Sequence, residues 1–424
     1  MIRLDIAVIG CGSAGPAAAL LLHRAGHAVQ LFERVPELLP VGAGFMLQPT
    51  GLDVLRELGL LDPILEHGAV VPRLHCRTRG GRRILDLAYA EVDEHYYGLG
   101  MHRATMLELF AGALRDDDIA LHLDHGIDAI EVSGGKATLV AAGQEHGPFD
   151  LVIVCDGARS QLRQDHGPGF RATQYPWGAL WFIGADRENR YDGCLLQVVD
   201  GARRMVGFLP TGTTLDDDTP LVSLFWSMEL SAYDALRAAG LEAWKSQLLA
   251  MAPEAGPLAD QIDDLDQLTL AAYMDVRMKP WHRGPVVFIG DCAHATSPQL
   301  GQGVNLALVD ASILARCVID SASHGARDGT PGGVVPSALR AYNRARRRHL
   351  AYYQLTTRWL TPFFQSRSRV LGWMRDLGFP MIRWLAPVRR QMVQTMCGVK
   401  RGFVRRSMPL PKLALPAPPP TSGD

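Results

Sequence analysis

Residues 5–34 read DIAVIGCGSAGPAAALLLHRAGHAVQLFER, and few folds accept that order of pieces. An apolar strand runs into Gly10-x-Gly12-x-x-Gly15, an Ala/Leu helix follows, and a second strand, Ala28–Phe32, ends in Glu33. This predicts a βαβ unit of an α/β sheet. Each glycine has its own mechanical role. Gly10 makes the tight turn, Gly12 admits a pyrophosphate, and Gly15 lets helix and strand pack closely. Ser13 and Ala14 open the helix, whose N-terminus attracts phosphate. Glu33, 18 residues past Gly15, is placed to take adenosine ribose hydroxyls, with Arg34 beside it. A bound dinucleotide follows; the unit does not by itself separate NAD from FAD.

A second stretch narrows that choice. Val286 to Ala311, VVFIGDCAHATSPQLGQGVNLALVDA, reads as a short strand, a Gly-Asp turn, and a Gly-rich loop opening into an amphipathic helix. Asp291 directly follows the strand, where an acceptor can meet a ribityl hydroxyl. Gly301 and Gly303 let backbone approach a flat ring. The amides near Val304 and Asn305 would face that ring unpaired at a helix N-terminus carrying roughly half a positive charge. That polarity suits the anionic edge of a reduced flavin. Pro298 precedes the two glycines in the same loop.

Between these two stretches, the buried strand DLVIVC ends in Asp156-Gly157-Ala-Arg159-Ser160-x-x-Arg163. A strand end opening into a helix with two arginines suits a pyrophosphate. With these three motifs in this order, residues 1–340 resemble the para-hydroxybenzoate-hydroxylase-like, single-component flavoprotein monooxygenases. The resemblance implies further roles. Gly42-Ala-Gly44 would run past the isoalloxazine, the Pro298 carbonyl would orient a hydroxylated ring, Arg103 would contact the ribityl–phosphate region, and Asp156 would serve both FAD and the nicotinamide cofactor. It implies non-covalent FAD, NADH or NADPH as a transient reductant, and O2 delivered to an aromatic substrate through a C4a-hydroperoxyflavin. The runner-up is a flavin reductase or oxidase of the same fold without oxygen insertion. A second GxGxxG is absent, so the nicotinamide would bind across the flavin. No residue reads as a general acid or base.

The middle of the chain has a different texture. Val70–Leu87 is a hairpin pattern around Gly80-Gly81. WGALWFIGADR, GCLLQVV, RRMVGFLP and PLVSLFWSMEL are β-branched and aromatic runs, with Asp200-Gly201 as a hairpin turn. They predict an antiparallel sheet carrying Trp177, Trp181, Phe182, Phe208, Phe225 and Trp226, one face of which covers the flavin. Met46, Gln48, Trp181, Leu196, Phe208, Trp226 and Pro298 are the candidates for an apolar substrate pocket.

The expected architecture is therefore α/β. Residues 1–69, 98–175 and 276–340 would form a discontinuous Rossmann-like FAD-binding domain, and 70–97 with 176–275 an antiparallel substrate domain. A basic helical segment (341–408) and a disordered Pro-rich tail (409–424) follow. Ser337–Arg358 reads as one helix, with Pro362, Pro380 and Pro387 dividing the remainder. Seven cysteines without a C-x-x-C pair exclude a zinc site or disulfide framework, and no charged and apolar leader precedes the first strand. The chain is expected in the cytoplasm, as monomer or homodimer, without nucleic acid. The net charge of −1 conceals an asymmetry: residues 340–412 hold 17 Arg or Lys and one acidic residue, Asp376. Tryptophans beside those arginines give two readings, packing on the acidic body or peripheral contact with the inner face of a membrane.

Overall fold

The computed structural model describes residues 1–38, 43–328, 331–382, 384–403 and 408; Gly42 and the stretch 409–424 lie outside the described residues. Three separated segments build one six-stranded sheet in the order His282–Arg283, Val286–Phe288, Leu151–Val154, Asp5–Ile9, Ala28–Phe32, Ala120–His122. All neighbours are parallel except the first pair. The strands are apolar on both faces because helices cover them, as parallel sheets require. The helices Ala14–Arg24 and Gly303–Asp328 pack on one another, so two helix starts converge at the same end of the sheet.

A seven-stranded sheet carries Thr269–Met278, Phe170–Ala185, Leu221–Glu229, Arg204–Gly212, Cys194–Asp200, Arg73–Thr78 and Arg83–Ala88, in that order. Both expected hairpins are present, at Gly80-Gly81 and Asp200-Gly201. The pairing of Cys194–Asp200 with Arg73–Thr78 is parallel, which the antiparallel expectation missed. A separate three-stranded sheet holds Ala129–Ser133, Lys136–Ala141 and Gln144–Phe149.

The C-terminal segment is helical, but its divisions differ from the expected ones. Val334–Phe364 is one helix that runs through Pro362, Arg369–Ile382 contains Pro380, and Pro387 falls in the first turn of Ala386–Met396. Four of its arginines are committed to the body. Arg358 pairs with Asp275 at 2.9 Å, Arg367 with Glu229 at 2.7 Å, Arg389 with Glu91, and Arg346 with Asp310 at 2.6 Å. Among the described residues, no helix is long and apolar enough to cross a membrane.

Candidate active site

The two helix starts, the short strand Phe45–Leu47 with Gln48 after it, and the inner face of the seven-stranded sheet enclose one cavity of about 1550 Å3. That exceeds the roughly 300–1,000 Å3 of an ordinary small-ligand pocket, leaving room for a dinucleotide and a substrate together.

One end is charged. Glu33, Arg34, Arg103, Asp156, Arg159 and Asp291 line it with Gly10, Gly12, Ser13, Ala14, Gly44, Gly301, Gly303 and Val304. Glu33 lies close to the glycine turn because its carboxylate accepts the Cys11 amide at 2.6 Å. Ser13 makes no side-chain cap and neither helix has an acid in its first turn, so the leading amides are left for a ligand. Gly15 is not on the wall. A Cβ there would stand 1.9 Å from the Gly10 carbonyl oxygen, whereas one on Gly12 meets nothing within 4 Å. Gly301 holds φ +58°, turning the chain so that the long helix starts beneath Asp291. Three observations fit FAD to this end: open space at Gly12, a helix start at Ser13 without a side-chain cap and with cations nearby, and a buried Asp156 Oδ1 without a hydrogen-bond partner. Burial pushes the Asp156 carboxyl above the usual carboxylate range, against the Ser160 hydrogen bond and Arg163.

Two side chains beside the expected cofactor site are occupied elsewhere. Arg163 is buried and donates to the carbonyls of Cys292 (2.8 Å) and Ala158 (2.9 Å), so only Arg159 of that pair reaches the cavity. The Asn305 side chain lies off the wall. Its Oδ1 accepts the Gln48 amide at 2.7 Å and its Nδ2 donates to the Met46 carbonyl at 3.0 Å, which pins the Met46–Gln48 loop.

The other end is apolar. Met46, Gln48, Trp181 and Pro298 line the cavity as expected from sequence, although the Gln48 Oε1 is taken by the Tyr89 hydroxyl at 2.5 Å. Leu196, Phe208 and Trp226 do not line it; they face the opposite side of the sheet, in a cluster around Trp244 and Leu248. Their neighbours Leu195, Met205, Leu209 and Phe225 face inward instead. Side chains alternate along a strand, so an error of one position moves a residue to the other face. Because both faces of this sheet are buried, the apolar runs carry no alternation to read. Trp181 and Phe225 are cross-strand partners with ring centroids 5.0 Å apart, and the Trp181 indole donates to the Tyr273 hydroxyl at 3.2 Å. Gln365 is a further wall residue that the sequence did not single out. Its Nε2 donates to Ser227 Oγ at 2.9 Å, while its buried Oε1 has no partner. A lone amide beside two phenylalanines was the only signal.

Fold and site together fit a dinucleotide-binding enzyme, with two helix starts at one end of the cavity and a β-sheet over the other. The FAD binding domain family matches residues 3–349. A probable 2-heptyl-3-hydroxy-4(1H)-quinolone synthase, AqdB2, of Rhodococcus erythropolis is 27% identical over 336 residues, covering 75% of this chain and 80% of its own. Kynurenine 3-monooxygenase of Salinispora arenicola is 28% identical over 378 residues, 82% of this chain and 77% of its own. Among solved structures, Klebsiella pneumoniae HpxO complexed with FAD and uric acid superposes with a TM-score of 0.72 at 21% identity, covering 92% and 97% of the two chains.

The chain belongs to the FAD binding domain family and is a single-component FAD-dependent aromatic monooxygenase, working with NAD(P)H and O2. Asp291→Ala should purify with most of its flavin missing. A lost hydrogen bond to a charged acceptor costs about 1.5–3 kcal/mol, or roughly 10- to 150-fold in affinity. The visible flavin absorbance per chain reads this directly, and full occupancy would remove Asp291 from the site.

Proposed function

We propose that the substrate is a neutral, largely apolar aromatic molecule with one N–H or O–H that meets Gln365. The carrying observation is the distribution of charge on the cavity wall. Every charged side chain on it belongs to the FAD end or its rim. The sheet and C-terminal helices contribute Trp181, Leu195, Met205, Phe225, Tyr273 and Phe364 with neutral companions only. A carboxylate buried there would lack a cation, and an unpaired buried charge is costly enough to exclude it. Arg375 does not supply one: it is buried behind Phe364 and spends its donors on Asp376 and the Phe363 carbonyl. Among the relatives, this favours a substrate like the alkylated quinolone of AqdB2 over an amino acid such as kynurenine.

Bound FAD supplies reduction by NAD(P)H and the activation of O2. The chain's own residues bind, orient and keep the site dry. Trp181, Phe225 and Phe364 sandwich a flat ring, Gln365 Oε1 accepts its N–H or O–H, and the Pro298 carbonyl is a second acceptor at the flavin side. FAD is held without a covalent bond.

Neutral alkylated hydroxyquinolines should accelerate NAD(P)H oxidation and gain one atom from labelled O2, whereas hydroxybenzoates should do neither. Gln365→Leu should raise KM for the accepted compound about five- to tenfold with kcat little changed, as for one neutral hydrogen bond. Preference for the carboxylates would sink the assignment.

A further inference from the structure

The helix Arg369–Ile382 is apolar on two faces, and only one of them is covered. Inward, Gly372 lies against the backbone of Gly201 and Ala202, Arg375 is buried, and Phe379 and Ile382 line the cavity. Outward, Val370, Trp373, Met374, Leu377 and Met381 are 67, 72, 55, 46 and 67% exposed. Their spacing of i, i+3, i+4, i+7 and i+11 makes a continuous stripe along one side of the helix. Leu385, Val388 and Trp359 are exposed as well. Soluble monomers rarely leave so long an apolar patch in water.

The stripe adjoins the cavity. Trp359 touches Phe363 at a ring separation of 5.7 Å, and Phe363 touches Phe379 at 5.7 Å. Trp359, Phe379, Ile382 and Val388 all belong to the cavity wall, so the exposed surface and the substrate end share residues.

The surrounding charge selects the occupant. Between Ser366 and Phe403 the only acidic residue is Asp376, which is bonded to Arg375. Arg369, one turn before Trp373, and Arg390 on the next helix are exposed. A second copy seated about a two-fold axis would set this basic face against itself with no carboxylate on the face to answer it. An anionic lipid surface answers it, and tryptophan and methionine suit the headgroup depth.

We propose that the outer face of Arg369–Ile382 docks on an anionic bilayer, and that the cavity mouth beside it takes its substrate from the lipid. The second clause rests on the neutral-substrate reading above; the docking does not. The contact is chiefly apolar, with Arg369 and Arg390 at its edge, because Arg367, Arg375 and Arg389 beside the stripe are paired inside the chain. That revises the sequence expectation, which placed the attraction on the arginines.

The test is flotation of the full, FAD-loaded chain with vesicles of phosphatidylcholine containing phosphatidylglycerol, at low and high salt. Binding should fall no more than about tenfold at high salt, since few free arginines contribute. Trp373→Glu with Met381→Glu should lower it by about a hundredfold or more, charges being costly at this depth. Flavin content and melting should not change, since both side chains are exposed. A parent chain that stays off the vesicles overturns the docking. So does binding that salt abolishes and the double substitution spares, or a dimer in sedimentation velocity that the double substitution dissociates. Neutral aromatics that still accelerate NAD(P)H oxidation without any vesicle binding would leave the substrate reading standing alone.

Discussion

Replacing Arg346 by methionine lowers the unfolding free energy by about 3–5 kcal/mol, the usual cost of stripping one partner from a buried ion pair. Arg346 and Asp310 are both fully buried. Arg346 Nε donates to Asp310 Oδ1 at 2.6 Å, and a second guanidinium nitrogen donates to the Leu306 carbonyl at 3.2 Å. The other Asp310 oxygen accepts the Gly290 amide at 2.9 Å and bonds His294. Arg346 also donates to His349 Nδ1, and His349 Nε2 in turn donates to the Gly398 carbonyl at 2.7 Å. One guanidinium thus ties the turn that presents Asp291 to the C-terminal segment that closes the cavity. Methionine fills the volume but leaves the buried Asp310 carboxylate with only His294 and the Gly290 amide to answer it. Changing Asp310 to leucine in the same chain should recover part of the loss, and a urea titration of the apoproteins compares the three. A variant within about 1 kcal/mol of the parent would mean the network holds little.

The pH dependence has a definite sign. Burial alone would raise the Asp310 carboxyl, but Arg346 and His294 outweigh it and hold it well below the ordinary carboxylate range. Its contribution is present above about pH 3.9 and lost as pH falls further. Burial, and then Arg346, push His349 well below its ordinary value. A neutral histidine of that kind contributes fully above about pH 6.5, and the contribution is lost as pH falls from there toward the folded value. The parent should therefore lose stability on acidification from about pH 6.5. The gap between parent and Arg346→Met should narrow on acidification from about pH 6.5, because without Arg346 the folded variant protonates both His349 and Asp310 more readily.

The second large effect separates folding from binding. Gly15→Ala should weaken FAD at least about a hundredfold, roughly 2.7 kcal/mol, and destabilise the apoprotein by about 1–3 kcal/mol. The new Cβ would stand 1.9 Å from the Gly10 carbonyl oxygen. The backbone there cannot give way easily, because the Gly10 amide is bonded to Phe32 at 2.8 Å and that of Cys155 to Ile9 at 2.9 Å. Gly12→Ala is the control. Its Cβ meets only open cavity, so the apoprotein should match the parent in urea while its FAD affinity falls. Equal behaviour of the two variants in both measurements would show that the glycine turn does not approach the cofactor as described.

Local chemistry made the FAD end legible. Gly10, Gly12, Glu33, Asp156 and Asp291 meet on one stretch of cavity wall, and the sequence could single them out because each stands at a strand end or helix start whose geometry is set within a few residues. The roles of Asn305 and Arg163 were not legible, because their partners, Met46 and Cys292, lie 259 and 129 residues away in the chain. The substrate face depended on tertiary structure for a different reason. With apolar residues on both sides of the seven-stranded sheet, parity alone decides whether Phe225 or Trp226 faces the cavity, and only the packed sheet fixes parity. Composition likewise showed that residues 340–412 are basic. Which arginines remain free was decided by where the fold brought Asp275, Asp310, Glu91 and Glu229, since a charge is spent only when an opposite one arrives within a few ångströms.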